Sequence, residues 1–132
     1  VDEALIVNGE FSMAGGYRSV DRLLARHEGL DAIFCANDVI AFGAMRRLRE
    51  LGIGVPNQVA LVGMDDIELG KVSTPTLSTV SLLAEERGRL AAELLLERLL
   101  GGAAEEPRKV TVTPRLIVRE SSTDYIRHEV PA

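Results

Sequence analysis

The stretch Ala32-Ile33-Phe34-Cys35-Ala36-Asn37-Asp38-Val39-Ile40-Ala41-Phe42-Gly43-Ala44-Met45 decides the fold. Its first five residues form an apolar run that predicts a buried strand. Asn37 or Asp38 follows, and either side chain can cap a helix by accepting a backbone N–H. From there Ala41, Ala44, Met45, Leu48 and Leu51 recur on one helical face, and Gly52 supplies a C-terminal stop signal. The unit is therefore a strand running directly into a helix.

The same unit recurs on both sides. Ala4-Leu5-Ile6-Val7, ended by Asn8-Gly9, predicts a buried strand, and Ser12 can cap a helix over 13–26. Met13, Tyr17, Val20 and Leu24 share one face of that helix, and Gly29 ends it. Val59-Ala60-Leu61-Val62 predicts a third strand that stops at Gly63-Met64-Asp65-Asp66. After a short irregular stretch over 67–73 and Thr74-Pro75, Leu77-Ser78-Thr79-Val80 predicts a fourth. Alternating strands and helices with short connections imply an α/β domain of three layers, α/β/α, around a parallel sheet. Because the strands are continuous apolar runs, the sheet is expected to be buried on both faces.

The second half differs. Residues 84–100 predict the longest helix, closed by Gly101-Gly102, with Ala84, Gly88, Ala91, Leu95 and Leu99 as its core stripe. Glu85 and Arg89 stand in the favourable i,i+4 order. A polar loop follows over 103–107. Val110-Thr111-Val112 and Leu116-Ile117-Val118 are strand-like, and Pro114 between them argues for an edge or crossing segment. Beyond Glu120 the chain turns polar and is expected to fray.

Composition narrows the function. The 132 residues suit one domain, and the net charge of −5 excludes a basic nucleic-acid module within it. No apolar stretch reaches membrane-spanning length, and the acidic start over 1–4 lacks the basic region of a signal peptide. Cys35 is the one cysteine, which excludes a disulfide framework and fits a reducing compartment. Cys35 reads as a small core residue, and His27 and His128 have no partner at metal-ligand spacing. Arg46-Arg47-Leu48-Arg49 reads as a solvated face. No glycine-rich phosphate loop occurs, so neither a catalytic residue, a metal nor a cofactor is expected.

Ligands of open parallel sheets bind beyond the carboxyl ends of the strands. Those ends carry Phe11, Asn37 with Asp38, Asp65 with Asp66, and Leu82. Carboxylates and an amide take paired hydroxyl hydrogen bonds, and an aromatic ring packs on C–H faces, so the set suits a polyol or sugar. Taken singly, Asn37 and Asp38 could simply cap a helix, Asp65 and Asp66 shape a turn, and Phe11 act as a staple. Capping does not require one common edge, however, and all four tips share one. On the helix after Asn37, Val39 and Phe42 fall opposite the core face, beside Arg46 and Glu50, which suggests contact with another chain.

These residues resemble the LacI/GalR family of bacterial transcription repressors. Asn37-Asp38-Val39-Ile40-Ala41-Phe42-Gly43-Ala44-Met45 resembles its A-N-D-x-x-A-x-G-A helix start, and Val62-Gly63-Met64-Asp65-Asp66 its V-G-F-D-D strand end. Thr74-Pro75-Thr76-Leu77-Ser78-Thr79-Val80 is similar to T-P-P-L-T-T-V, and Gly9-Glu10-Phe11-Ser12 with Gly16-Tyr17 to G-D-F-S…G-Y. The helix over 88–102 and Leu116-Ile117-Val118-Arg119-Glu120-Ser121-Ser122 match the closing elements. The motifs occur in family order and cover nearly the whole chain.

The resemblance implies a periplasmic binding protein-like effector domain of type I, with two α/β lobes and a cleft. Residues 1–81 would be the C-terminal lobe, 82–113 a helix and strand belonging to the N-terminal lobe, and 114–132 the return and tail. A helix-turn-helix DNA-binding domain and most of the N-terminal lobe, including the family's key arginine, would lie upstream. The effector would be a small molecule, a sugar or a nucleoside or purine. Carried over by position, Phe11, Asn37 and Asp65 match effector contacts, and Leu82 stands where many members have a glutamine. Val39, Phe42 and Ser73 match a homodimer interface, although Ser73 replaces an aromatic found in some members. The resemblance implies a cytoplasmic regulator that is not an enzyme and touches neither a membrane nor, through this part, DNA.

Three other readings remain open. A periplasmic sugar-binding protein of a transport system shares the fold and the Asn-Asp motif. An acidic pair such as Asp65-Asp66 could hold Mg²⁺ in a phosphoacceptor domain. A module that only oligomerises would bind nothing at its strand tips.

Overall fold

The computed structural model describes residues 2–27, 29–101 and 108–123. Three strands lie side by side in parallel: β1 (Ala32–Phe34), β2 (Ala60–Met64) and β3 (Ser78–Ser81). A fourth, β4 (Arg115–Ile117), runs antiparallel to β3 and closes that edge. The register sets Ile33 beside Leu61, Val62 beside Ser78, and Val80 beside Leu116. Pro114 immediately precedes β4, an edge strand, where its missing N–H leaves no gap in an interior ladder.

Two helices pack on each other, α1 (Met13–Leu24) and α2 (Asp38–Glu50), and α2 lies against β2. Both starts are capped as expected. Gly15 N–H donates to Ser12 Oγ at 3.0 Å, and Ile40 N–H donates to Asn37 Oδ1 at 2.7 Å. The helices approach at glycines: a Cβ on Gly16 would stand 2.0 Å from the Ile40 carbonyl oxygen, and one on Gly43 would stand 1.9 Å from that of Met13. Val20, Ile33, Cys35, Ala41, Phe42, Ala44, Met45, Leu48, Val59, Leu61 and Leu77 form the core. On the outer side Arg47 pairs with Asp21 at 2.7 Å and Arg46 with Glu50 at 3.0 Å, and both guanidinium groups lie over the Tyr17 ring.

The α/β class and the mainly parallel sheet are as expected. Several details differ. The stretch 4–7 forms no strand: Glu3–Leu5 is a 3₁₀ turn capped by Asp2, and the residues after it share the lining of an open trough with β1 but pair with no strand. Arg22 of α1 and Arg26, just past its end, donate to carbonyls of this stretch, Arg22 to that of Asn8 at 3.1 Å and Arg26 to that of Ile6 at 3.3 Å.

Burial on both sheet faces is not met at β1, where Ile33 is buried and Phe34 is 60% exposed. β2 likewise alternates between buried and half-buried residues. Alternate residues of both strands stay open, so their apolar runs are only partly used.

Phe42 is a further correction. It is buried, not outward. Residues 41 to 45 of α2 are buried all round, because Ala41, Gly43 and Ala44 are small enough to let neighbouring backbone approach on more than one side.

A one-turn helix α3 (Leu69–Val72) lies between β2 and β3, and α4 (Ala84–Leu99) follows β3, but the expected core stripe of Ala84, Gly88, Ala91, Leu95 and Leu99 is exposed and α4 buries no residue. Leu90 and Leu94 are half-covered and line one groove with Val110 and Val112, which join no strand ladder among the described residues. Arg89 pairs with Glu93, one turn further on, at 2.6 Å. The end of the chain does not fray at Glu120. Glu120–Ser122 forms a 3₁₀ turn whose Ser121 is fully buried, accepting from Ser78 N–H at 2.8 Å and donating to the Leu61 carbonyl at 2.6 Å. The expected loop over 103–107, His128 and the tail beyond 123 lie outside the described residues.

Candidate functional site

Parallel pairing puts the carboxyl ends of β1, β2 and β3 on one edge of the sheet. Asn37 and Asp38 follow β1, Asp65 and Asp66 follow β2, and Leu82 follows β3. Phe11 reaches the same neighbourhood from the turn before α1. The glycine contacts set the first turn of α1 directly on the first turn of α2, and Phe11 and Asn37 each stand just before those turns. Phe11 is 73% exposed and lines an open trough of about 440 Å³ together with Val7, Asn8, Phe34 and Ala36.

The four polar residues are not equivalent. Asn37 is buried and spends its amide oxygen on the helix cap. Asp38 is fully buried: Oδ1 accepts from the Thr79 hydroxyl at 2.7 Å, and Oδ2 accepts from Ile67 N–H at 3.0 Å. Asp66 places Oδ1 2.6 Å from Arg119 Nη2. Asp65 alone is exposed, and its backbone N–H donates to the Val80 carbonyl at 3.0 Å. The acidic pair therefore divides into one structural carboxylate and one that faces solvent.

Asp65 and Asp66 both have positive φ, 113° and 60°. Conformations of that kind cost roughly 1–3 kcal/mol each in a residue with a Cβ, and such strain clusters at ligand sites. Leu82 is half-buried, and Leu83 after it adopts φ 51° as the chain turns into α4. Ser73 is half-buried, its hydroxyl donating to the Pro75 carbonyl at 2.8 Å. Val39 is 36% exposed on the first turn of α2.

Cys35 is buried in the core, and burial, with the Asp38 charge as a lesser cause, pushes its thiol up to about 12. A thiol so held supplies no thiolate at neutral pH. His27 is half-buried, and its Nε2 has no hydrogen-bond partner among the described residues.

Sequence reasoning missed three residues that build the site: Thr79, Arg119 and Ser121. Each acts across forty or more residues, through Thr79 to Asp38, Arg119 to Asp66 and Ser121 to Ser78. Position within the T-P-T-L-S-T-V and R-E-S-S motifs was the available signal.

A mainly parallel sheet whose loops gather polar residues beyond the strand ends defines a ligand-binding α/β domain of the periplasmic binding protein-like class. Residues 2–122 match the family described as periplasmic binding protein-like domain. The chain is 36% identical over 124 residues to the HTH-type transcriptional repressor PurR of Escherichia coli, covering 94% of this chain and 36% of that repressor. It superposes on the transcriptional regulator CelR in complex with cellobiose with TM-score 0.86 and 36% identity, over 92% of this chain and 37% of that one. A LacI-family transcriptional regulator from an Arthrobacter species, in complex with lactose, gives TM-score 0.81 and 34% identity over 86% of this chain and 42% of the other. The chain belongs to the LacI/GalR family, within its effector-binding domain. It spans about a third of the length of the curated repressor it matches. No helix among the described residues is long and apolar enough to cross a membrane.

Proposed function

We propose that this chain is the effector-sensing and dimerising part of a LacI-type transcriptional repressor. The observation that carries the reading is the division of the acidic residues. Asp38 and Asp66 are engaged in holding the fold, and Asp65 is left exposed at the sheet edge on a strained backbone. A carboxylate held in this way accepts a pair of hydroxyls from a sugar, and the exposed Phe11 ring offers a face for its C–H groups. Asn37 contributes its amide, and Leu82 makes the remaining edge apolar. Cellobiose and lactose in the related regulators support a sugar as the effector class.

In this reading 1–81 form one lobe, 82–113 cross to a second lobe and 114–132 return. The effector binds between the lobes and favours one arrangement over the other, which alters operator affinity through a helix-turn-helix outside this chain. Val39, Phe42 and Ser73 belong to a homodimer interface, Phe42 supporting it from beneath. The regulator is cytoplasmic and performs no catalysis.

The test is operator binding by the repressor that carries this chain, followed by fluorescence anisotropy across a panel of sugars and purines. The reading expects one sugar to shift operator affinity, and Asp65→Ala to abolish the shift. A purine as the only active compound, or a full response in Asp65→Ala, overturns it.

A further inference from the structure

Asp38 is the most deeply buried carboxylate among the core residues, with no exposed surface, so it cannot touch a ligand. Its two oxygens nevertheless face the loop that carries Asp65. Oδ2 takes the N–H of Ile67, two residues beyond Asp65, at 3.0 Å. Oδ1 takes the hydroxyl of Thr79 at 2.7 Å, and that same Thr79 oxygen accepts the N–H of Asp66 at 3.3 Å. One buried side chain thus grips the loop on both sides of Asp66, once directly and once through Thr79. Gly63 leaves room for the arrangement, since a Cβ there would stand 2.2 Å from Asp38 Oδ1. The remaining anchors are the Asp65 N–H on the Val80 carbonyl and the Arg119 guanidinium on Asp66.

Two consecutive non-glycine residues at positive φ relax unless neighbouring contacts over-determine them. We propose that Asp38 is the positioning residue of the effector site, holding Asp65 in its exposed orientation through Ile67 and Thr79. Asn37, its neighbour in sequence, caps α2, so the Asn-Asp pair sets the helix start with one residue and the neighbouring strand's loop with the next. The effector part of this proposal rests on the reading of Asp65 as an effector contact.

Amide hydrogen exchange in the full chain tests the positioning without any ligand. Asp38→Ala should speed exchange at Ile67 at least tenfold, and Thr79→Val should do the same at Asp66. The core amides of Leu48 and Leu61 should stay within twofold, and Thr79→Ser should restore the native rates. Should Asp38→Ala fail to fold, the Thr79→Val and Thr79→Ser pair carries the test, since valine matches threonine in shape. In the repressor that carries this chain, with cellobiose as the probe, Thr79→Val should weaken binding at least tenfold and Thr79→Ser should recover it. Native exchange rates at Ile67 and Asp66 in the variants overturn the proposal, as does faster exchange with unchanged cellobiose affinity. If Asp65→Ala leaves cellobiose affinity intact, the effector reading of Asp65 fails instead, while the exchange result still decides whether Asp38 sets the loop.

Discussion

Arg119 Nη2 lies 2.6 Å from Asp66 Oδ1, joining residues 53 positions apart. Its Nη1 donates to the Leu77 carbonyl at 2.8 Å, so a single guanidinium ties the segment after β4 to the loop after β2 and to the start of β3. Both partners are largely covered, with 15% and 22% of their side chains exposed. Hydrogen bonds to charged groups in such settings contribute about 1.5–3 kcal/mol. Arg119→Ala should therefore lower stability by about that amount in urea unfolding. Arg119→Lys should recover only part of it, since an ammonium cannot reach both acceptors in a planar fork.

Asp65 separates stability from response. Asp65→Ala should leave the fold intact and abolish the effector response in an operator-binding assay. Asp65→Gly should go further and raise stability by roughly 1 kcal/mol, because glycine relieves the strain of φ 113°. A loss of stability in Asp65→Gly would show that the carboxylate serves the fold and not the ligand.

The crossing of α1 and α2 leaves no space for a methyl group. Gly16→Ala and Gly43→Ala each drive a Cβ to about 2 Å from a backbone carbonyl oxygen, 2.0 Å for Gly16 and 1.9 Å for Gly43. Overpacking of this kind costs typically about 1–3 kcal/mol, and here the obstacle is backbone, which yields little. Thermal unfolding should show a drop at or above the top of that range for either variant. Gly29→Ala is the contrast, with nothing within 4 Å of the added carbon and only its φ of 78° to oppose it.

The interface assignment leads to opposite outcomes at two positions of α2. Val39 is 36% exposed, so Val39→Arg should weaken dimers in sedimentation without lowering the melting temperature of the monomer. Phe42 is in the core, so Phe42→Arg should unfold the protein before it reports on assembly. Dimers of unchanged strength in Val39→Arg would remove Val39 from the interface.

Glu120 is held below the usual carboxylate range by the Thr76 backbone N–H first and the Thr76 hydroxyl second. A carboxyl group whose folded pKa is lowered lends stability that is fully present above its ordinary value of 4.5 and lost as the pH falls through the folded value. Glu120→Gln should therefore lower stability at neutral pH, change it little in acid, and so flatten the fall in stability below about pH 4.5. An acid limb identical to the native one would mean that the Thr76 contacts do not discriminate between protonation states.

The parts of the fold legible in sequence are those governed by local chemistry. Ser12 and Asn37 cap their helices because a side-chain acceptor three residues before a free N–H needs no distant partner. The parallel order follows from strand–helix alternation, which also put Asn37, Asp65 and Leu82 on one edge. What escaped was whatever depends on a distant partner. Asp38 looked like half of a cap, yet its partners are Ile67 and Thr79. The apolar run over 4–7 reads as a strand by itself, and the arginines that bond the carbonyls of Ile6 and Asn8 come from α1 and the turn after it. Phe42 lies outside the face marked by Ala41 and Met45 on a helical wheel, but a wheel assigns one buried face, and α2 is covered on more than one.

The bare leucines of α4 bear on how the chain behaves in a tube. Leu95, Leu96, Leu99 and Leu100 are all more than half exposed and fall within six residues. A greasy rail of that kind recruits whatever apolar surface is at hand, whether detergent, a chaperone or another molecule of the same sequence. Light scattering that rises with concentration, suppressed by mild detergent at constant helical signal, is the behaviour to anticipate during purification. Colloidal behaviour is thus governed by a helix that adds almost nothing to the packed core.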